Sequence, residues 1–224
     1  MKKLENANKR FGLARVLSKM GLASRTQATQ LIINGIVQVN GKTIYDAEYP
    51  VRMEFDRVVL NQAEVKFQRR IVVMLNKPRG LVTTRNDEHQ RATVYECFPA
   101  DMPWVAPVGR LDKASEGLLL LSNDPVWAAS ITEPKSKIVK IYHVHVSGKV
   151  DADLLQKLNL GINNQNDFLS ALSVTCLREG DKNTWLEFKL QEGKNRHIRR
   201  LLEEFDIYVL RLIRVSIGNL TLGD

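Results

Sequence analysis

Apolar residues return at helical spacing early in the chain. Leu13, Val16, Leu17 and Met20 share one face of a 3.6-residue period, and Gly21 follows as a stop. A second helix opens at Ser24, with Gln27 three residues on in the reciprocal capping-box spacing. Ala28, Leu31 and Ile32 supply its apolar face, and Asn34-Gly35 close it with residues that tolerate a left-handed backbone. The pattern then changes from helix to strand. Ile36 to Val39 and Lys42 to Ile44 flank Asn40-Gly41, and Asn-Gly between two β-rich runs predicts a tight hairpin. The first seventy residues therefore read as two short helices followed by strands.

A basic stretch, Lys66-Phe67-Gln68-Arg69-Arg70, precedes the apolar run Ile71 to Leu75, which has the composition of a buried strand. A boundary near residue 69 divides the chain into residues 11–68 and residues 69–224. Strands and helices alternate beyond it. Leu118 to Leu121 suits a buried strand, Val126 to Ile131 a short helix, and Ile141 to Val146 and Trp185 to Leu190 two further strands. Ile198, Leu201, Leu202 and Phe205 fall on one helix face, and Val209 to Val215 reads as a final strand. The pattern predicts an α+β chain: a small N-terminal helix/strand domain and a larger domain on a mixed, mainly antiparallel sheet.

Composition removes several classes. The apolar share of 44% suffices for a core, and no apolar run approaches the roughly 20 residues that span a bilayer, so no membrane is expected. The N-terminal MKKLENANKRFG has no apolar segment of the secretory kind. Cys97 and Cys176 form neither a CxxC nor a metal-ligand spacing, which argues against a disulfide framework or a zinc site and makes a reducing cytoplasm the expected location. The charge is more telling. Of a net +8, from 33 Lys+Arg and 25 Asp+Glu, +7 lies in residues 1–70 and +1 in residues 71–224. A basic module ahead of a nearly neutral one suits a polyphosphate partner, because each cation placed on a phosphate releases a condensed counterion.

Three segments of the larger region offer chemistry. Gly109 and Gly117 bracket a loop holding Arg110, Asp112 and Glu116; a carboxylate beside arginine stays ionised and is a candidate nucleophile or base. Tyr142, in Lys140-Ile141-Tyr142-His143, sits on a predicted strand where a ring could stack on a base or simply be half buried. Glu192 to Arg200 brings Lys194, Arg196, Arg199 and Arg200 to the start of a helix, where cations oppose the macrodipole and call for an anion nearby.

Residues 13–42, LARVLSKMGLASRTQATQLIINGIVQVNGK, resemble the S4 RNA-binding domain. Gly109-Arg110-Leu111-Asp112 with the following Glu-Gly-Leu-Leu-Leu-Leu-Ser-Asn-Asp, Lys140-x-Tyr142, and Asn195-Arg196-His197-Ile198-Arg199-Arg200 together resemble the RsuA-type family of RNA pseudouridine synthases. Met74 to Thr84 resembles that family's opening strand.

The resemblance implies isomerisation of a uridine of ribosomal RNA to pseudouridine with no metal and no organic cofactor, by a cytoplasmic monomer. It implies Asp112 as the catalytic carboxylate, Tyr142 as the ring stacked on the uracil, and Arg199 as the aspartate's ion-pair partner. It implies substrate contacts from Arg110, Lys77, Arg196 and Arg200, and RNA contacts in the S4-like part from Arg15, Lys19, Ser24, Arg25 and Lys42. Glu116 is expected to bond the loop backbone rather than react. The target leans to 23S rRNA, with 16S rRNA as the alternative. A non-catalytic S4-type RNA-binding or ribosome-assembly factor would explain the basic module equally well but not the three catalytic positions together. A hydrolase using Asp112 and Glu116 would need a second activated carboxylate or a metal cluster.

Overall fold

Helix signals and stop signals agree closely at the N-terminus of the computed structural model, which describes residues 10–53, 55–65, 70–164 and 167–223. Helix α1, Leu13–Lys19, buries Leu13, Ala14, Val16 and Leu17, and the chain turns out of it at Gly21 with φ +72°. Helix α2, Arg25–Ile33, starts with the full capping box: Gln27 N donates to Ser24 Oγ at 3.2 Å and Ser24 N donates to Gln27 Oε1 at 2.9 Å. Each bond satisfies an amide that a helix start leaves without an internal partner. Strands β2, Val37–Val39, and β3, Lys42–Thr43, meet through Asn40 and Gly41, both at positive φ as a type I′ hairpin demands.

These elements form the first of two compact units, Met1–Val73 with Asp101–Ala106 and Ser122–Pro125. Its main sheet adds β5, Val58–Leu60, and β6, Ala63–Glu64, in the order β3-β2-β5-β6; β1, Phe11–Gly12, pairs separately with β4, Pro50–Val51. Leu13, Leu17, Ile32, Val37, Val51 and Val58 are its wholly buried centre. Asp56 is buried beside them. Burial alone would raise its pKa, but hydrogen bonds from the Arg52 side chain and amide and from Asn40 outweigh that and bring it down to about 2. The domain boundary expected near residue 69 falls among residues 66–69, outside the described residues.

The second unit, Met74–Ala100, Pro107–Leu121 and Val126–Asp224, is built on one mixed sheet. Its strands are β7, Val72–Lys77; β8, Ala106–Val108; β9, Glu116–Ser122; β10, Lys140–Ser147; β13, Ser173–Glu179; β14, Asn183–Leu190; β15, Val209–Ile217; and β16, Leu220–Thr221. The main order is β13-β14-β10-β15-β9-β7, with β8 on β9 and β16 on β15. β10 runs antiparallel to both β14 and β15, whereas β9 and β15 are parallel. Helix α3, Pro125–Thr132, places Trp127, Ala128 and Ile131 against Leu118 and Leu120, with proline at its first turn, where its missing N–H costs nothing. Helix α4, Ala152–Leu160, leads into the hairpin of β11, Ile162–Asn164, and β12, Asp167–Leu169. Helix α5, His197–Glu203, precedes β15.

Three expectations change. The run from Ile71 is not a buried strand: β7 is a sheet edge, and Val72 and Met74 are about half exposed. Phe205 lies past the end of α5, because Phe205 N and Ile207 N both return to Leu202 O and the chain turns at Asp206 with φ +56°. β15 is not the last strand, since β16 folds back on it.

Candidate active site

The loop between β8 and β9 is held at every peptide from Leu111 to Ser115. Thr83 Oγ donates to Leu111 O at 2.8 Å and accepts from Leu111 N at 3.3 Å. Asp112 O accepts from Ser115 N at 3.0 Å and from Lys77 Nζ at 3.3 Å. Lys113 O accepts from Gly80 N at 2.8 Å, Ala114 O from Arg199 Nη2 at 3.2 Å, and Ser115 O from Lys77 Nζ at 2.8 Å. Loop carbonyls usually rely on water or turn partners; here residues 77–83 and Arg199 supply most of the donors. Leu111 and Ser115 point inward and are buried, and the residue between them that carries a carboxylate, Asp112, is exposed. Its side chain makes no hydrogen bond and no ion pair with the described residues. A fixed backbone carrying an unengaged carboxylate is the arrangement a positioned nucleophile or base requires.

Asp112 lines a cleft of about 560 Å³, together with Arg110, Lys113, Arg196 and Arg199 on one side of the sequence and residues 82–91 on the other. That volume suits a small ligand or one extruded nucleotide. Arg110 and Lys113 are exposed and make no ion pair among the described residues. Burial lowers the pKa of Arg199, the charge of Asp112 counters it, and the neighbouring Arg196 and Arg79 lower it further. Arg199 nonetheless stays cationic, as a guanidinium does in proteins, so it supplies positive potential beside Asp112.

The expected direct pair between Arg199 and Asp112 is absent: no nitrogen of one comes within 4.0 Å of the carboxylate of the other, and Arg199 instead binds the loop backbone at Ala114. Its Nε is buried without a hydrogen-bond partner. Lys77, expected to touch substrate, is fully buried, and its ammonium donates to the carbonyls of Pro78, Asp112 and Ser115. Burial pulls its pKa down, opposed first by Asp112 and then by Cys97 and Glu116. Arg200, expected to touch substrate, is likewise engaged within the protein. Its side chain is 18% exposed and is engaged by Asp167 Oδ2 at 2.9 Å and by Asn164 Oδ1 at 2.6 Å, so it braces the β11–β12 hairpin. Arg196 does face the cleft, at positive φ and paired with Glu203 at 2.9 Å.

Tyr142 is 9% exposed on β10, opposite Phe188 of β14 and Arg214 of β15, and is not among the cleft walls. Glu116 does not bond the loop; it holds Arg211 through both oxygens at 2.9–3.2 Å. His143 and His145 share a strand face, with His145 stacked on Trp185 at 4.7 Å and His143 3.5 Å from Glu187. His197 is buried, and burial followed by the Lys194 charge lowers its pKa. Among the described residues no cluster of His, Cys, Asp or Glu is arranged to hold a metal ion. No helix among them is long and apolar enough to cross a membrane.

In the first unit Arg15, Lys19 and Arg25 approach one another across the two helices. Burial lowers the pKa of Lys19, and the charges of Arg15 and Arg25 add to it. Arg15 lies over the Phe11 ring at 5.8 Å and Arg25 pairs with exposed Glu48 at 2.9 Å. Lys42 is exposed on β3. Ser24 already accepts from the Gln27 amide, so the role visible for it is the helix cap.

Sequence reasoning missed the groups that secure the loop. Thr83 gives no signal, and Lys77 is expected on the substrate side only through the family resemblance. It also missed residues 84–91 as a cleft wall.

Two families match the chain over most of its length. The RNA pseudouridylate synthase family matches residues 71–204 and the S4 domain matches residues 11–58. A protein of Aquifex aeolicus named as an uncharacterized RNA pseudouridine synthase is 38% identical over 208 residues, spanning 92% of this chain and 84% of its own. The ribosomal large subunit pseudouridine synthase B of Buchnera aphidicola subsp. Baizongia pistaciae is 30% identical over 217 residues, spanning 94% of this chain and 87% of its own. Among solved structures, a pseudouridylate synthase superposes with a TM-score of 0.64 at 24% identity, covering 96% of this chain and 91% of that one, which shows a shared fold.

Proposed function

The chain belongs to the family of RNA pseudouridine synthases, and on that footing we propose that it converts one uridine of 23S ribosomal RNA to pseudouridine with Asp112 as the catalytic carboxylate. The observation that carries the reading is the loop in which five consecutive peptides are bonded while the Asp112 side chain stands unengaged in a cleft beside Arg110, Lys113 and Arg199. The large subunit is the better target because the Buchnera relative is named for it.

The target nucleotide leaves its stack to enter the cleft, at a cost of a few kcal/mol. Arg110 and Lys113 meet its phosphates, and Arg199 adds positive potential beside Asp112 as water leaves. The N1–C1′ bond breaks, the uracil turns, C5 bonds to C1′, and the C5 proton departs while N1 takes up a proton from water, so no atom is gained or lost overall. Asp112 acts at the ribose or base during the first step. Tyr142 becomes the stacking face of the base once the cleft opens toward β10, recovering about 1–3 kcal/mol. The first unit holds RNA through Arg15, Lys19, Arg25 and Lys42 and does no chemistry. The protein works as a cytoplasmic monomer.

Deleting the gene and mapping pseudouridines in both rRNAs by carbodiimide modification and primer extension tests this. One stop in 23S rRNA should vanish and return with the intact gene but not with Asp112→Asn. A stop lost from 16S rRNA instead would move the target to the small subunit. Unchanged rRNA would overturn the proposal in favour of a passive RNA binder.

A further inference from the structure

The wall of the cleft that faces the Asp112 loop is formed by residues 82–91, and this segment is unusually well fixed for an exposed loop. Asp87 is its hub. Its carboxylate accepts from His89 N at 3.1 Å, Arg91 N at 2.9 Å, Arg91 Nε at 2.9 Å and Arg91 Nη2 at 2.6 Å. The Arg91 hydrogen bonds hold that carboxyl well below the usual range, so it stays charged and keeps the loop closed. Thr84 Oγ donates to Asn86 O at 2.8 Å, and Thr83 ties the base of the loop to Leu111, one residue before Asp112. The loop tip is therefore in register with the reacting carboxylate.

Glu88 sits at that tip, exposed, lining the cleft, with no hydrogen bond or ion pair to any described residue. A free carboxylate is out of place in a channel for polyphosphate, where it repels the backbone it must accommodate. It is in place only against a group that donates. In RNA those groups are on base edges, and bases displaced from a helix present them. A carboxylate accepts through two oxygens. Guanine offers N1–H and N2–H side by side, cytosine and adenine an exocyclic amine, and uracil a single N3–H between two repelling carbonyl oxygens.

We propose that Glu88 is a specificity-determining residue that reads a base flanking the target uridine, favouring a base with amino donors, guanine foremost, and rejecting uracil. This rests on the reading of the cleft as the site of pseudouridine formation. Asp87 and Arg91 are positioning residues that present Glu88, and Thr83 fixes its distance from Asp112.

The test uses the full chain and unmodified 23S and 16S rRNA transcripts. After the modified uridine is mapped, each base within two nucleotides of it is changed to all alternatives, and kcat/KM is measured for wild type, Glu88→Gln and Glu88→Ala. At one flanking position wild type should favour the amino-bearing base over uracil by about tenfold or more, the discrimination of one good side-chain–base contact. Glu88→Ala should reduce that ratio to within about twofold while its melting temperature stays that of wild type, because the side chain bonds nothing in the protein. Glu88→Gln, which keeps one acceptor, should fall between. A wild-type preference that survives unchanged in Glu88→Ala, or no preference at any flanking position, overturns this proposal alone. A wild-type protein that forms no pseudouridine in either transcript overturns the reading of the cleft, and this proposal with it.

Discussion

The ammonium of Lys77 and the main-chain carbonyl of Asp112 lie 3.3 Å apart, and the same ammonium reaches Ser115 O at 2.8 Å. A fully buried lysine thus spans both ends of the turn that carries the candidate catalytic carboxylate. Removing its charge leaves buried Ser115 O without its donor, at about 1–3 kcal/mol, and Asp112 O with the Ser115 amide alone. Lys77→Met should therefore lower stability by about 2–4 kcal/mol in urea unfolding. Single-turnover rate should fall by about a hundredfold or more as the carboxylate loses its place, with RNA affinity within about twofold of wild type. A large loss of affinity with the rate retained would return Lys77 to the substrate surface.

Gly117 and Gly80 both have φ near +100°, but only one is crowded. A Cβ on Gly117 would lie 2.3 Å from Arg214 O of the neighbouring strand, whereas a Cβ on Gly80 meets nothing within 4 Å. Gly80→Ala should cost about 1–2 kcal/mol from backbone strain. Gly117→Ala should cost about 4 kcal/mol or more, because β9 and β15 must move apart. Thermal unfolding of the two variants side by side checks the contrast.

His197 makes stability depend on pH. Its folded pKa is lowered, by burial first and by Lys194 next. Above the unfolded value, about 6.5, both states are neutral and the imidazole adds no pH dependence; as pH falls through 6.5 the unfolded chain gains a proton that the folded one resists. Stability should decline from about pH 6.5 downward until the folded pKa is passed. Melting temperatures at pH 7.5 and pH 5.5 should differ less in His197→Gln than in wild type. An equal difference would locate the dependence elsewhere.

Arg15, Lys19 and Arg25 should each contribute to RNA affinity through counterion release. Alanine at Arg15 or Lys19 should reduce the slope of log affinity against log salt by about 0.7–0.9. Arg25→Ala should change it less, since Glu48 already competes for that guanidinium at 2.9 Å. Filter binding across a salt series reads both values. Catalytic rate at saturating RNA should not move.

What could be read ahead of the structure follows from the range of each interaction. The α1 face, the Ser24–Gln27 box and the Asn40-Gly41 hairpin are settled by residues within four positions of each other, and all three stand as expected. The exposure of β7 is a property of its place at a sheet edge, which composition does not encode. The same holds at the site. The loop bearing Arg110 and Asp112 is visible as a local block, but what fixes it comes from Lys77, Thr83 and Arg199, 28 to 85 residues away in sequence. Arg200 and Arg199 are chain neighbours with the same composition cue, yet one braces a hairpin and the other faces the cleft, because successive residues of a helix point 100° apart.

Carbon 5 of uridine gives up its hydrogen when C5 becomes the glycosidic carbon. Release of tritium to water from 23S rRNA transcripts made with uridine tritiated at carbon 5 is therefore the most direct measure of the central claim. Wild-type protein should release the label of one uridine per transcript, and Asp112→Asn, with its fold and RNA affinity intact, should release none above background. Tritium released by Asp112→Asn at the wild-type rate would contradict the account.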